Sequence, residues 1–397
     1  MRWTSKARVR LLAHLVIGCL AGLVSQSVVA QPPVVALSKP IAEHEEGLSE
    51  VIGLRELPDG RVLVSVAREG RVLLLDFATQ QATDAAKQGA GPLEFRLPGQ
   101  LFALGDSVAM FDLGLRRLLL WGPNGKPLRT VAIAGADVMT VARLGRIIGS
   151  DRAGRVYGES RGMTIVPGKM PTLSDTIALV RWTKLGEKGD TLATRYERTE
   201  MPGLAGDEKT GVKLSIKMEA LTPRDGWDVF PDGRIVTFRI RDYQFESVDP
   251  AGKTTVGGRI AYQPVALTAK DRQQLVKLTR ESYELGLKMG MSMAGAAAGA
   301  GKMPKIDFDV QEPTEWPANR LIFSAVLAAP DGTAWVARSM SGLGGPSDYD
   351  VIGRDGKLLR KVRFPANVTV MGFGKGVVYT VRKDEDDLRY VQRYRLP

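Results

Sequence analysis

Trp227-Asp228-Val229-Phe230-Pro231-Asp232-Gly233, followed by Ile235-Val236-Thr237-Phe238 and by apolar runs at 243–248 and 254–260, makes one unit of four short strands. The Pro-Asp-Gly triplet between the first two runs is a turn with a mechanism. Proline presets φ, aspartate bonds back to the backbone, and glycine accepts positive φ. The same device, or a close relative, recurs at Pro58-Asp59-Gly60, Asn124-Gly125, Pro250-Ala251-Gly252, Pro330-Asp331-Gly332 and Asp355-Gly356. A hairpin turn that keeps returning along one chain predicts a repeat architecture of antiparallel meanders.

Working outward from 227–260, comparable units occupy 51–75, 99–132, 138–197, 321–364 and 368–396. A four-stranded meander of this size cannot stand alone, and stacking such units in a ring buries their faces. The last unit has only three strands before the chain ends. Val34-Val35-Ala36-Leu37, an orphan apolar run, is expected to supply the fourth and close the ring. The predicted fold is therefore all-β, a six-bladed β-propeller over 31–397, with a sandwich of two sheets as the alternative. One segment breaks the pattern: residues 268–293 read as a helix, with Thr268 and Asp271 as a capping box and Leu275, Leu278, Leu285 and Met289 on one face. With its small-residue linker it forms a helical insertion over 264–316, either lying on the rim or serving as a lid or docking helix through Met289, Met291 and Met293.

Residues 1–30 read as a signal peptide and stand outside the fold. Arg2, Lys6, Arg8 and Arg10 form a basic start, an apolar run follows, and Val28-Val29-Ala30 precedes the expected cut. Val16-Ile17-Gly18-Cys19 also resembles a lipobox, so lipidation of Cys19 is one alternative and an uncleaved membrane anchor the other. Either reading sends the protein to the periplasm or outside the cell. Cys19 is the only cysteine, so a chain cut after Ala30 has no disulfide and no thiolate metal site. Loss of the leader's four basic residues lowers the formal charge from +11 to +7. That excess is dispersed, which argues against nucleic acid and leaves room for an anionic ligand.

Gly89-Ala90-Gly91-Pro92-Leu93-Glu94-Phe95 with Pro98 resembles an element of exported bacterial six-bladed propellers related to NHL-repeat proteins, with Leu93 where the usual form has glycine. The 227–233 and 243–246 stretches and residues 374–396 are similar to the same family. The resemblance implies six blades and an extracytoplasmic location, and it carries no single activity.

Catalytic chemistry has few footholds. The one histidine beyond the leader, His44, sits in an acidic stretch and is expected in a surface loop. A Ser-His-Asp triad and a His-rich zinc site are therefore excluded. Calcium is the one metal left in play, through acids with Asn124, Asn319 or Asn367. The run Lys383-Asp384-Glu385-Asp386-Asp387 reads as a hairpin turn rather than a calcium site.

One constellation points to ligand chemistry. Arg239, Arg338 and Arg382 each lie six residues beyond a turn glycine (Gly233, Gly332, Gly376), with Arg68 and Arg161 in loosely equivalent places and Asp112 in another unit. Equivalent repeat positions share one face, so these arginines are expected to ring one end of the channel and grip carboxylate, sulfate or phosphate. The competing expectation pairs each with a neighbouring blade's acid, among them Asp242, Glu159 and Asp350. The function expected from the residues is a monomeric, cofactor-free, non-enzymatic module binding a protein, an anionic glycan or a small anion. A carboxylate- or calcium-dependent hydrolase or lyase at the channel mouth is the alternative.

Overall fold

The computed structural model describes residues 32–133, 135, 144–164, 172–197, 203–207, 211–298, 306–338 and 343–397. The expected leader, Cys19 and the expected cut after Ala30 lie outside them. Two N-terminal strands, β1 (Val34–Ala36) and β2 (Ala42–Glu43), precede the repeats. Blade 1 comprises β3 (Val51–Glu56), β4 (Val62–Val66), β5 (Arg71–Asp76) and β6 (Gln81–Asp84). Blade 2 comprises β7 (Leu101–Leu104), β8 (Ser107–Asp112), β9 (Arg117–Trp121) and β10 (Pro127–Ala132). Blade 3 follows with β11 (Leu144–Ser150), β12 (Val156–Thr164), β13 (Thr172–Trp182) and β14 (Asp190–Tyr196). After an accessory hairpin, β15 (Gly203–Asp207) and β16 (Gly211–Glu219), comes blade 4: β17 (Gly226–Val229), β18 (Ile235–Arg239), β19 (Gln244–Val248) and β20 (Thr254–Arg259). Helix α1 (Ala269–Ala298) and β21 (Ile306–Gln311) lead to blade 5, with β22 (Ala325–Ala328), β23 (Ala334–Ala337), β24 (Pro346–Ile352) and β25 (Leu358–Ala366). Blade 6 adds β26 (Val368–Gly374), β27 (Val377–Lys383) and β28 (Arg389–Arg395).

These are the six blades that the turn signature predicts. Gly60, Gly105, Gly154, Gly233, Gly332 and Gly376, which link the first and second strands, all hold φ between +60° and +86°. Only glycine adopts that region without strain. Six apolar clusters fill the six interfaces between blades. Trp121 and Phe95 pack between blades 1 and 2, Trp182 and Phe102 between 2 and 3, and Trp227 and Tyr157 between 3 and 4. Phe238 and Phe323 pack between blades 4 and 5, Trp335 and Phe373 between 5 and 6, and Tyr379 and Leu73 between 6 and 1. The first strands β3, β7, β11, β17 and β22 touch in series, and β26 returns to β3, so each blade turns its first strand to the axis. The Gly-x-Gly element joins blades 1 and 2: a Cβ at Gly89 or Gly91 would lie 2.1 or 2.9 Å from the Glu94 carboxylate, which caps the Gly91 amide.

Ring closure comes from the N-terminus, but through a different segment than the apolar pattern indicates. Val34–Ala36 pairs parallel with β25 on the outer edge of blade 5. Ala42–Glu43 supplies the fourth strand of blade 6, antiparallel to β28. Polar contacts select the shorter strand: Glu43 accepts two hydrogen bonds from Arg382 and one from Gln392. His44, expected in a surface loop, is fully buried against Phe77. Its Nδ1 accepts from the Glu46 amide, which leaves Nε2–H to donate to the Gln81 carbonyl.

The insertion is also larger than 264–316. β16 pairs parallel with β21, so residues from between blades 3 and 4 join those from between blades 4 and 5. The helix begins with the predicted capping box, Thr268 and Asp271 bonding reciprocally, and Asp271 also holds Arg320. Leu275 packs with Leu221, Leu267 and Trp316. The side chains of Leu285, Met289, Met291 and Met293 lie outside the described residues. Both accessory pieces leave a fourth strand and return to a first strand, so they emerge at the end of the ring where the second strands finish.

Closure can be tested by truncation. A protein lacking residues 32–37 keeps β2 and should unfold within a few degrees of the full protein. One lacking residues 32–46 exposes the β28 edge and loses the His44 and Glu43 contacts. It should lose several kcal/mol and self-associate, as read by thermal unfolding and light scattering.

Candidate functional site

Because the blades repeat, strand register places equivalent positions in one layer around the axis. On each first strand, one residue pairs with the residue three beyond the turn glycine. These are Arg55 opposite Leu63, Ala103 opposite Val108, Gly149 opposite Tyr157, Asp228 opposite Val236, Leu327 opposite Trp335 and Gly372 opposite Tyr379. Four members of this layer are small or apolar. The two charged ones stand three blades apart, on opposite sides of a six-bladed ring.

Asp228 is half-buried, and its two oxygens accept the Val229 and Ala328 amides at 2.7 Å each. Burial pushes its carboxyl up to about 6, against those amides and the charges of Arg55 and Arg146. Arg55 makes no hydrogen bond or ion pair among the described residues, and its buried Nε lacks a partner. Burial pushes its guanidinium down, and Asp228 opposes that push. The two groups stand at equivalent positions on opposing blades, and no ion pair joins them among the described residues.

Arg146 lies nearer the accessory end on β11. Enclosure pushes it down, Glu159 opposes this, and Arg224 adds to it. Its side chain keeps 54% of its surface open, so water in the channel screens much of that effect. Glu159, 3.9 Å away, is already taken: it accepts a two-pronged grip from Arg195 and the Trp227 indole N–H. Despite burial, those partners hold the Glu159 carboxyl below the usual range. Glu197 then joins Arg195 to Arg161. Arg146 thus leaves the channel with surplus positive charge.

The five arginines singled out by repeat offset share one end of the ring, and each meets an acid of its own blade rather than the neighbouring blade's acid expected. Arg68 lies 3.9 Å from Glu50 and Arg161 3.0 Å from Glu197. Arg239 holds Glu246 and Asp225 at 2.5 and 2.9 Å and also donates to the Thr194 carbonyl. Arg338 pairs with Asp350 at 2.9 Å and lies over the rings of Tyr243 and Tyr262. Arg382 pairs with Glu43 at 2.8 Å. Of the other anticipated acids, Asp242 pairs with Arg259 and Glu159 with Arg195. Asp112 instead accepts four backbone amides, from Arg96, Leu97, Gly114 and Leu115. Asp384 caps its hairpin through the Asp386 and Leu388 amides. Among the described residues no three His, Cys, Asp or Glu converge as a metal site.

Sequence reading missed the axial pair, although a signal was present. Arg55 and Asp228 each lie five residues before a turn glycine, Gly60 and Gly233.

No family model and no curated protein matches the sequence. Among solved structures, the chain is similar to a gluconolactonase from Xanthomonas campestris (12% identity, 92% of this chain and 98% of that one, TM-score 0.44). It is also similar to regucalcin, a calcium-binding protein from Agrobacterium tumefaciens (10% identity, 91% and 95%, TM-score 0.43). Virginiamycin B lyase from Staphylococcus aureus gives 8% identity over 90% and 99%, with a TM-score of 0.41. These are likenesses of fold alone.

The environment of Asp228 predicts a pH dependence. Its carboxyl titrates near the ordinary 3.8 when unfolded and near 6 when folded, so the folded state holds more protons between those values. Stability contributed by this group therefore falls as pH rises through that window, by up to about 3 kcal/mol before screening. Asp228→Asn should flatten the profile between pH 4 and 6 and leave the protein about 1–2 kcal/mol more stable at pH 7, once one lost amide bond is counted. Urea unfolding across pH checks this.

Proposed function

We propose that this protein is an extracytoplasmic, non-enzymatic binding module that takes a small anionic ligand at the propeller axis. The supporting observation is Arg55, a guanidinium on the innermost strand with no hydrogen bond or ion pair among the described residues. An unpartnered guanidinium is costly to hold in a fold, and a carboxylate or phosphate oxygen on a ligand would satisfy it. Arg146 raises the local positive charge and draws such a ligand in. In this reading the rim arginines Arg68, Arg161, Arg239, Arg338 and Arg382 brace the blades at the channel mouth through their own acids. The signal-peptide pattern read in residues 1–30, and the resemblance to exported NHL-repeat-like propellers, support the extracytoplasmic part of this reading.

A second reading, a hydrolase or lyase, is favoured by the place of Asp228, a carboxylate on the innermost strand bonded, among the described residues, only to two backbone amides. Burial pushes that carboxyl up to about 6, toward proton transfer near neutral pH.

A titration calorimetry panel of acetate, phosphate and sulfate, run on the purified protein, tests the binding reading. At least one anion should bind, about ten- to a hundredfold more weakly to Arg55→Met, and unchanged to the Arg68→Met/Arg239→Met variant, which leaves the closing strand's Arg382 in place. The reverse pattern would move the site to the rim, and no binding by any anion would remove it.

A further inference from the structure

The axial layer says more about its ligand than its sign. It presents one guanidinium and one carboxylate on opposing blades, separated on either side by Ala103 and Gly149 and by Leu327 and Gly372. Ala103 is exposed although it sits on an innermost strand, so the surface it sees is the lumen. Gly372 is equally unfilled: a Cβ there would meet nothing closer than Leu54 at 3.7 Å. The layer therefore offers space at Ala103 and Gly372, while a Cβ at Gly149 would meet Val229 at 3.3 Å, and none of its six residues carries a hydroxyl or amide side chain.

Three ligand chemistries can be weighed against this layer. A simple anion satisfies Arg55 but leaves the Asp228 carboxylate facing it with like charge. A sugar acid presents many hydroxyls, none of the layer's six residues is a neutral polar side chain, and the Ser150 hydroxyl beside them is already donated to the Ala103 carbonyl. A molecule with a carboxylate at one end and an ammonium at the other matches both groups. Asp228 keeps unused lone pairs after accepting its two amides, because each carboxylate oxygen has two. We infer that the axial layer binds a small zwitterion, an amino acid or ω-amino acid, with its carboxylate on Arg55 and its ammonium on Asp228.

This deepens the proposed function and rests on it. Arg146, one step nearer the accessory end, then makes the carboxylate the end that enters the channel under attraction. Asp228 must be ionised to hold the ammonium. Zwitterion binding is therefore expected to weaken as pH falls through about 6, while a plain carboxylate holds its affinity there.

The test is a calorimetric series on the purified protein: glycine, 4-aminobutyrate and 6-aminohexanoate, each beside the carboxylate without its amine and the amine without its carboxylate. The inference predicts that one zwitterion binds at least about tenfold more tightly than either half, with the best chain length reporting the span of the channel. Asp228→Asn should remove that advantage and leave the plain carboxylate unaffected or tighter. Ala103→Phe, which touches neither charge, should block both ligands while the far-ultraviolet spectrum stays that of the wild type. If carboxylates bind as well as zwitterions, and Asp228→Asn changes neither, the zwitterion inference fails and the anion site stands. If neither class binds, the anion site fails with it.

Discussion

Everything in this structure depends on closing the ring. A single blade has two apolar faces and no way to cover either, so all six interfaces must form together. Trp121, Trp182, Trp227, Phe238, Trp335 and Tyr379 each anchor one of them. The join falls within the last blade, and it is made by two residues of strand, Ala42–Glu43, fixed by Arg382, Gln392 and the buried His44. Closing the ring there brings the two ends of the chain into one sheet. An open ring would leave the β28 edge and two apolar faces to the solvent.

Closure also creates the site. Six equivalent first strands converge on one axis, so a charge placed at the same repeat position in blades 1 and 4 faces its counterpart across the lumen. Most buried charge in this protein is matched at short range, as in Arg195 with Glu159 or Arg338 with Asp350. Arg55 and Asp228 are not matched in that way. Each carries part of the desolvation cost of its position, visible in the lowered guanidinium and the raised carboxyl. Polar groups left in that state are the natural places for a ligand to complete.

The blades were legible because their determinants are local. A turn glycine at positive φ and an apolar run of four to six residues can be read without knowing the neighbours. The rim arginines were legible in position, since a fixed offset from the turn glycine puts them at one end. Of their acids Asp350 was anticipated, but Glu43, Asp225 and Glu246 were not, because they come from different strands of the blade. The closing strand was misread for a related reason: Val34–Ala36 has the apolar pattern, whereas Ala42–Glu43 is chosen by side-chain bonds to residues more than three hundred positions away. The parallel pairing of β16 with β21 is non-local in the same sense. Arg55 and Asp228 share an offset that the sequence did display, upstream of the turn rather than beyond it. Nothing local distinguishes them from other charged strand residues until the ring sets them face to face.

The most direct measurement is a carbon-13 NMR titration of the Asp228 carboxyl in the wild type and in Arg55→Met. If the two groups face each other across the axis, Asp228 titrates near 6 in the wild type and higher once the opposing guanidinium is gone. A carboxyl that titrates in the ordinary range, or one that Arg55→Met leaves unmoved, would contradict the axial pair and the site built on it.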